Sequence, residues 1–234
     1  MPTRMNGFWG MLIGLAGVLA LYVAATLLDI NRVETLYILF VIVNGAGGFI
    51  FGTLYKRLRE LSVLDSLTHL YNRNYFFPEF ERQLALARRH NYPVSIVIFD
   101  LDRFKEHNDA FGHLQGDALL REVAGILKAN VRQTDTLARF GGDEFVLLLP
   151  HTADSEAVRL VERLKRRLAE QLPERPVSLS AGIASFPRNG STSRDLLHRA
   201  DLALYRAKEK RDTICLYDEL GHQAPTAALQ GNGW

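Results

Sequence analysis

Apolar residues form two long uncharged runs in the first quarter of the chain. Residues 5–28 contain no charged side chain, and about 20 apolar residues are enough to span a bilayer core as a helix. A second uncharged run covers residues 36–55 and follows a short polar connector. The pattern predicts a two-helix transmembrane hairpin over residues 1–55, with spans at residues 8–28 and 36–55.

Lysine and arginine positions predict the orientation of this hairpin. Arg4 precedes the first run and three basic residues lie within residues 56–59 after the second, whereas the connector carries only Arg32 beside two acids. Because basic residues accumulate on the cytoplasmic side of spans, both termini and the following domain are expected to be cytoplasmic. A cleaved signal peptide is the alternative for the first run, but the run is long for one and a second span follows it.

Residues 56–64 continue the second run with leucines at helical spacing. Leu58, Leu61 and Leu64 lie three residues apart and therefore share one face of a helix. The spacing predicts a short connecting helix, which either pairs with a second copy or simply leaves the membrane.

From residue 65 onward, helical and strand patterns alternate. Apolar spacing predicts helices at residues 75–90, 117–130, 154–171 and 193–210. Runs of β-branched and apolar residues predict strands at residues 94–99, 136–140, 145–149, 177–185 and 214–217. This order favours an α+β fold over residues 65–217, a ferredoxin-like or palm-type sheet whose helices cover one face. Residues 218–234 show no periodicity and are predicted to form a disordered tail.

Composition narrows the function only slightly. The net charge of +2 is too small to argue for a nucleic-acid polymer as partner. The single cysteine, Cys215, excludes an intrachain disulfide and a cysteine-based zinc site.

Four acidic residues follow or join predicted strands. An apolar strand runs into Asp100 and Asp102, which share a face because they are two residues apart, and the turn of a predicted hairpin carries Asp143 and Glu144. Acids at the end of an apolar strand are costly unless they are solvated, paired or bound to a cation, and clustered carboxylates suit Mg²⁺. A simple polar turn is the alternative for the hairpin acids. The basic residues just beyond Asp102, Lys105 among them, favour phosphoryl-transfer chemistry on a nucleotide.

Several motifs in sequence order resemble those of one family. Residues 139–145 (RFGGDEF) are similar to the signature turn of GGDEF-type diguanylate cyclases, bacterial enzymes that join two GTP molecules into cyclic di-GMP and release pyrophosphate. Residues 65–73 resemble the opening motif of that family, residues 99–109 its metal and nucleotide segment, and residues 112–117 its guanine segment. The resemblance covers residues 65–217.

The resemblance implies a metal centre and an acid–base role. Asp100 and Asp143 would coordinate metal, the Leu101 carbonyl would be a further ligand, and Glu144 would complete the acidic cluster. Two Mg²⁺ ions per active centre are expected, with Mn²⁺ as a substitute. Asp143, or the metal that it holds, would promote loss of the 3′-hydroxyl proton, and metal must supply most of this effect because a carboxylate is a weak base for a hydroxyl.

The resemblance also implies nucleotide-binding residues. Lys105 would stabilise phosphate charge, and Asn108 and Asp117 would bind guanine, whose edge matches an amide and a carboxylate. Asp117 also suits a helix start. His113 is either a ligand contact or a structural residue.

Two further segments carry basic residues with implied roles. Lys208 matches a phosphate-binding lysine of the family, but the segment after it is one residue short and lacks the usual glycine, so Arg211 is only a candidate for the phosphate-binding arginine. Arg132 and Asp135 resemble the Arg-x-x-Asp site at which the family binds its product as an inhibitor. A surface ion pair is the alternative for the second pair.

The sequence therefore favours a membrane-anchored diguanylate cyclase. Because each centre holds one GTP and the product needs two, a homodimer is expected, with cyclic di-GMP as product and inhibitor. The implied location is the bacterial inner membrane. One alternative is an inactive module that binds GTP or cyclic di-GMP, and another is a membrane scaffold, which leaves the acids unexplained.

Overall fold

Two compact units make up the chain in its computed structural model, Met1–Leu61 and Ser62–Trp234. The structure describes residues 17, 19–20, 22–24, 26, 32–60, 62–173, 175 and 177–220. In the first unit, the described residues include one helix that is long and apolar enough to cross a membrane, α1 (Arg32–Glu60). Its apolar stretch covers Leu36–Leu54. Most of the first predicted span lies outside the described residues, so the two-helix hairpin stays a prediction.

The predicted connecting helix is shorter than residues 56–64. Helix α1 reaches Glu60, but Leu64 forms an isolated bridge with Tyr71 and is not helical. Asn72 accounts for this difference, because its backbone N–H donates to the Val63 carbonyl (3.0 Å) and its side chain donates to the Ser62 carbonyl (2.7 Å). These bonds hold the segment extended where it enters the second unit.

The second unit is an α+β domain built on one five-stranded sheet. Its strands are β1 (Val94–Leu101), β2 (Thr136–Gly141), β3 (Glu144–Pro150), β4 (Leu179–Phe186) and β5 (Ile214–Leu216). The order across the sheet is β2-β3-β1-β4-β5, antiparallel except for the parallel β4–β5 pair. Its helices are α2 (Arg73–His90), α3 (Phe104–Phe111), α4 (His113–Ala129), α5 (Asp154–Gln171) and α6 (Ser193–Lys210).

Helices cover both faces of the sheet, so the expectation of one covered face was wrong. Val97 and Phe99 of β1 pack among residues of α4 and α5, whereas Ile96 and Ile98 pack among residues of α2 and α6. Every residue of β1 from Val94 to Phe99 is buried. A strand that is buried on both faces needs cover on both, which is why its sequence over these residues is a nearly continuous apolar run, interrupted only by Ser95.

The structure departs from the sequence prediction at several points. Helix α3 was not predicted, and α4 begins at His113, before the predicted start at residue 117. At the C-terminal end, Tyr217–Leu220 forms a 3₁₀ helix where disorder was predicted from residue 218. Asp218 is held there by Arg188 and Asn189. Residues 221–234 of the predicted tail lie outside the described residues.

Candidate active site

The β1 end and the β2–β3 turn bring the predicted acids together. Asp100 pairs in register with Glu144 on β3 and with Ser180 on β4. The Leu101 N–H, at the last residue of β1, donates to the Asp143 carbonyl at 3.4 Å. The sheet therefore places Asp100 and Leu101 beside the hairpin acids, as the sequence predicted.

Two glycines form the turn that carries Asp143. Gly141 has φ +150° and Gly142 φ +53°, both in the region that residues with a Cβ adopt at a cost. Arg139 fixes the turn, since its guanidinium donates twice to the Gly142 carbonyl (3.0 and 2.6 Å) and once to Asp65 Oδ1 (3.0 Å). Asp65 belongs to the opening motif, but its link to this turn was not predicted from the sequence.

Burial and mutual repulsion make the acidic cluster electrostatically unfavourable. Desolvation raises the pKa of Asp100, and the nearby charges of Asp143 and Asp102 raise it further. Desolvation also raises the pKa of Glu144, Arg73 lowers it, and Asp201 and Asp100 raise it. A neighbouring positive charge is what such a cluster requires.

Lys208 supplies a positive charge at this point. It lies in the last turn of α6, and its Nζ is 2.8 Å from Asp100 Oδ2. A second contribution comes from Arg73 at the start of α2, whose guanidinium stacks 4.7 Å from the centroid of the Phe140 ring. Arg73 and Asp201 were not singled out in the sequence, because neither follows a strand nor adjoins the glycine turn.

The acids suit a hard divalent cation by their chemistry. Two carboxylates, a third nearby and a main-chain carbonyl are oxygen donors, which Mg²⁺ prefers, and Mg²⁺ keeps several positions for water and phosphate. Within the described part of the chain, no three His, Cys, Asp or Glu side chains converge closely enough to enclose a metal ion alone. The donor set therefore fits an open site that a phosphate-bearing substrate completes, and not a closed protein cage.

Asp102 has a structural role, in contrast to the carboxylates beside it. Its two oxygens accept from the hydroxyls of Ser178 and Ser180, both at 2.7 Å, and from the Asp212 N–H at 2.8 Å. Ser180 lies opposite Asp100 on the neighbouring strand and donates to Asp102. This contact is consistent with the expectation that Asp102 shares a face with Asp100. Its carboxylate is nevertheless satisfied by the protein, which explains why a charged group is tolerated there.

The residues predicted to bind guanine, Asn108 and Asp117, lie on two helices that are joined by one glycine. Asn108 lies on α3, Gly112 adopts φ +84°, and α4 begins at His113. The Oδ1 atom of Asn108 is buried and has no hydrogen-bond partner, and it lies against Gly116. Asp117 is half-buried on α4. A buried acceptor without a partner is a group that a ligand can satisfy.

Three other predicted substrate residues are exposed. Lys105 is exposed in the first turn of α3, His113 is exposed at the start of α4, and Arg211 is exposed after α6. Arg211 caps α6 with φ +57°, and Asp212 follows with φ +45°. Together with ψ +164°, this φ places Arg211 in a backbone region that is almost confined to glycine, so Arg211 occupies a glycine-type position.

The predicted product site forms a closed turn at the other end of β2. Asp135 Oδ2 accepts from the Arg132 N–H at 2.8 Å, while Oδ1 is buried without a hydrogen-bond partner. Desolvation raises the pKa of Asp135, and Arg132 and Arg163 lower it. Arg163 of α5 was not predicted, since no motif marks it. Six residues of strand separate this turn from the acidic cluster, which is roughly 20 Å.

The acidic cluster predicts a pH effect on stability. Because the pKa of Glu144 is raised in the fold above its ordinary 4.5, the folded protein binds this proton more tightly than the unfolded chain does. This contribution stabilises the protein below pH 4.5 and is lost as the pH rises through the raised value. Glu144→Gln is therefore expected to be more stable than the unsubstituted protein at pH 7. The difference should shrink as the pH falls toward 4, and urea unfolding at several pH values measures it. A difference that stays constant with pH would contradict the prediction.

Comparisons with known proteins give consistent matches over the second unit. Residues 62–213 match the family described as diguanylate cyclase, GGDEF domain. The chain is 40% identical over 168 residues to the bifunctional diguanylate cyclase/cyclic di-GMP phosphodiesterase MucR of Pseudomonas aeruginosa, covering 70% of this chain and 24% of that protein. It is 39% identical over 156 residues to the response regulator PleD of Caulobacter vibrioides, covering 64% of this chain and 34% of that protein. The chain thus spans about a quarter to a third of these relatives.

Solved structures agree in fold. The GGDEF domain of PA1120 (TpbB or YfiN) from P. aeruginosa superposes with a TM-score of 0.62 at 37% identity, covering 66% of this chain and 94% of that one. The GGDEF domain of DgcB from Caulobacter crescentus, in complex with c-di-GMP, gives a TM-score of 0.62 at 28% identity, covering 67% and 96%. Both similarities cover about two thirds of the chain.

Proposed function

Because the chain belongs to the GGDEF domain family of diguanylate cyclases, we propose that it condenses two GTP molecules into cyclic di-GMP with release of pyrophosphate. The observation that carries this proposal is the cluster of Asp100, Asp143 and Glu144 beside Lys208. It combines oxygen ligands for a cation with a lysine for phosphate charge. The Oδ1 atom of Asn108 is a buried acceptor without a partner, which supports guanine as the base, because guanine presents N–H donors along one edge.

Asp100, Asp143 and the Leu101 carbonyl, with Glu144, would hold Mg²⁺ or Mn²⁺, two ions per centre. Bound there, such ions would lower the pKa of the attacking 3′-hydroxyl and would balance phosphate charge. Asp143 lies on the glycine turn, where the absence of Cβ atoms lets the backbone approach the triphosphate closely.

The remaining predicted residues orient GTP. Asn108 and Asp117 bind the guanine edge, and Lys105 and Lys208 bind phosphate oxygens. His113 is exposed at the start of α4, where it contacts the ligand. Each domain binds one GTP, so two copies of the chain face each other to bring a 3′-hydroxyl to each α-phosphate.

Membrane attachment and product inhibition complete the proposal. Helix α1 anchors the chain in the bacterial inner membrane, with residues 8–28 as a second span and the catalytic domain in the cytoplasm. Its outward-facing apolar side chains, such as Phe49 and Phe51 with 75% and 71% exposure, support a lipid environment. Arg132 and Asp135 bind cyclic di-GMP as inhibitor, a role that the buried free Oδ1 of Asp135 supports.

The proposal is tested with the purified full chain in detergent or lipid nanodiscs. GTP and Mg²⁺ should yield cyclic di-GMP and pyrophosphate, detected by mass spectrometry, and EDTA should abolish the reaction. A folded, dimeric sample that binds GTP without forming product would contradict the cyclase and favour the regulatory binding module.

The contact between Asn108 and Gly116 gives a direct prediction for GTP binding. A Cβ at residue 116 would lie 1.8 Å from Asn108 Oδ1 and 3.2 Å from Phe104 Cζ, so Gly116→Ala must displace the amide. We expect the KM for GTP to rise about tenfold, which corresponds to one hydrogen-bonded contact. Gly125→Ala on the same helix is the matched control, because a Cβ there meets nothing within 4 Å. Equal KM values for the two variants would contradict the placement of guanine beside Asn108.

A further inference from the structure

The loop after α6 is unusual because two consecutive residues with side chains adopt positive φ. Arg211 and Asp212 have φ +57° and +45°, a conformation that costs free energy for any residue with a Cβ. Such a conformation persists only where surrounding contacts determine it. Contacts from three other elements do so here.

The main chain of residues 211–213 is bonded at almost every position. The Arg211 N–H donates to the Ala207 carbonyl at 2.9 Å, and the Ala181 N–H of β4 donates to the Thr213 carbonyl at 2.9 Å. Between them, the Asp212 N–H donates to Asp102 Oδ2 at 2.8 Å. The Asp212 carbonyl accepts from Lys165 Nζ.

Lys165 contacts Asp212 twice. Besides the carbonyl, its Nζ lies 2.8 Å from Asp212 Oδ1, and only 20% of the lysine side chain is exposed. A lysine is rarely this buried unless it is paired. Asp212 thus lies between the Asp102 carboxylate just after β1, which accepts its N–H, and Lys165 on α5, which binds its carbonyl and its carboxylate.

This loop directly follows the proposed phosphate-binding end of α6. Lys208 is in the last helical turn and Arg211 caps the helix. The C-terminal end of a helix dipole is negative and repels phosphate, so binding there depends on cations held in fixed positions. Loss of Lys165 removes the cation that binds both the carbonyl and the carboxylate of Asp212, and so removes one of the contacts that fix this loop.

We propose that Lys165 is a positioning residue for the triphosphate of GTP, which acts through Asp212 to hold Arg211 and Lys208 in place. This inference rests on the proposed function, because it takes GTP as the ligand at α6. It assigns Lys165 no contact with the substrate. Its effect must therefore appear in phosphate binding and not in guanine binding.

The test compares Lys165→Met with Arg166→Met in the full chain. Arg166 is the exposed neighbour on α5, and no ion pair joins it to Asp212 among the described residues, so its loss removes the same charge but leaves the Lys165–Asp212 pair in place. We expect Lys165→Met to weaken GTP binding and to raise KM about three- to tenfold, with kcat changed less than about twofold. GMP, which lacks the β- and γ-phosphates, should bind both variants as it binds the unsubstituted protein. Lys165→Arg, which keeps a charged donor, should recover most of the affinity.

Asp212→Asn provides a second variant that leaves the main-chain bonds in place. Asp212→Asn should also weaken GTP binding. The double variant with Lys165→Met should bind GTP as well as Lys165→Met alone does, because both changes break the same contact. Unchanged GTP binding in Lys165→Met, or equal weakening of GTP and GMP, would overturn the positioning role. If the unsubstituted protein binds GTP but forms no cyclic di-GMP, the proposed cyclase fails, while the binding comparison still decides the role of Lys165.

Discussion

Asp143→Asn is expected to reduce cyclic di-GMP formation about a thousandfold, a loss of about 4 kcal/mol of transition-state stabilisation. Asp143 lies on the glycine turn, and its charge adds to the repulsion that raises the pKa of Asp100. An amide has nearly the same shape but no charge, so it loses most of its attraction for a divalent cation. The expected defect is therefore in turnover.

The fold should survive this substitution. The contact of Asp143 with β1 uses its main-chain carbonyl, which accepts from Leu101 and is retained in Asn. Removal of one charge from a repulsive cluster should even raise the melting temperature when no divalent cation is added. Turnover is measured at saturating Mg²⁺ and GTP, with Glu170→Gln as control, because Glu170 is half-exposed on α5 and pairs only with Arg167 in the described structure. A loss of less than about tenfold would contradict a central role for Asp143.

Arg132→Ala is expected to raise the concentration of cyclic di-GMP needed for inhibition by about ten- to a hundredfold, the effect of losing one bidentate guanidinium contact. The turn at this site should remain intact, because Asp135 accepts from the main-chain N–H of Arg132 and not from its side chain. The KM for GTP and the uninhibited kcat should stay unchanged, since roughly 20 Å of strand separates the two sites.

Inhibition is measured by adding cyclic di-GMP to the turnover assay. Lys128→Ala is the control, because Lys128 is an exposed basic residue near the end of α4, the helix that precedes Arg132. Asp135→Asn gives an independent check. Its amide oxygen can still accept from the Arg132 N–H and so preserve the turn. Its NH₂ group places a donor where Asp135 has the free acceptor Oδ1. Unchanged inhibition in both Arg132→Ala and Asp135→Asn would show that cyclic di-GMP does not inhibit by binding at this turn.

The central part of the domain was predictable because its residues carry strong local patterns. The apolar run of β1 predicted a buried central strand, and the paired glycines predicted the β2–β3 turn. The position of Asp100 at the end of that strand then followed from the chain order. The prediction that helices cover one face failed, although the same apolar run already implied that both faces are buried.

Interactions between distant residues were not predictable from the sequence. Asp102 appeared equivalent to Asp100, but the serines that satisfy its carboxylate lie 76 and 78 residues away. Nothing in a single sequence specifies such a pairing. The positive φ of Arg211 was equally hidden, because a shortened segment without glycine shows a departure but not which residue takes the strained conformation.

The bonds from Asp65 to Arg139 and from Arg139 to Gly142 also have a practical consequence for any shortened version of the protein. Only two contacts separate the beginning of the second unit from the backbone of the glycine turn that carries Asp143. A water-soluble fragment that starts after Asp65 would keep the sheet and its two cores but would lose the anchor of Arg139. Fragments for activity measurements therefore need to begin at or before Ser62, so that a low rate reflects the chemistry and not a loosened turn.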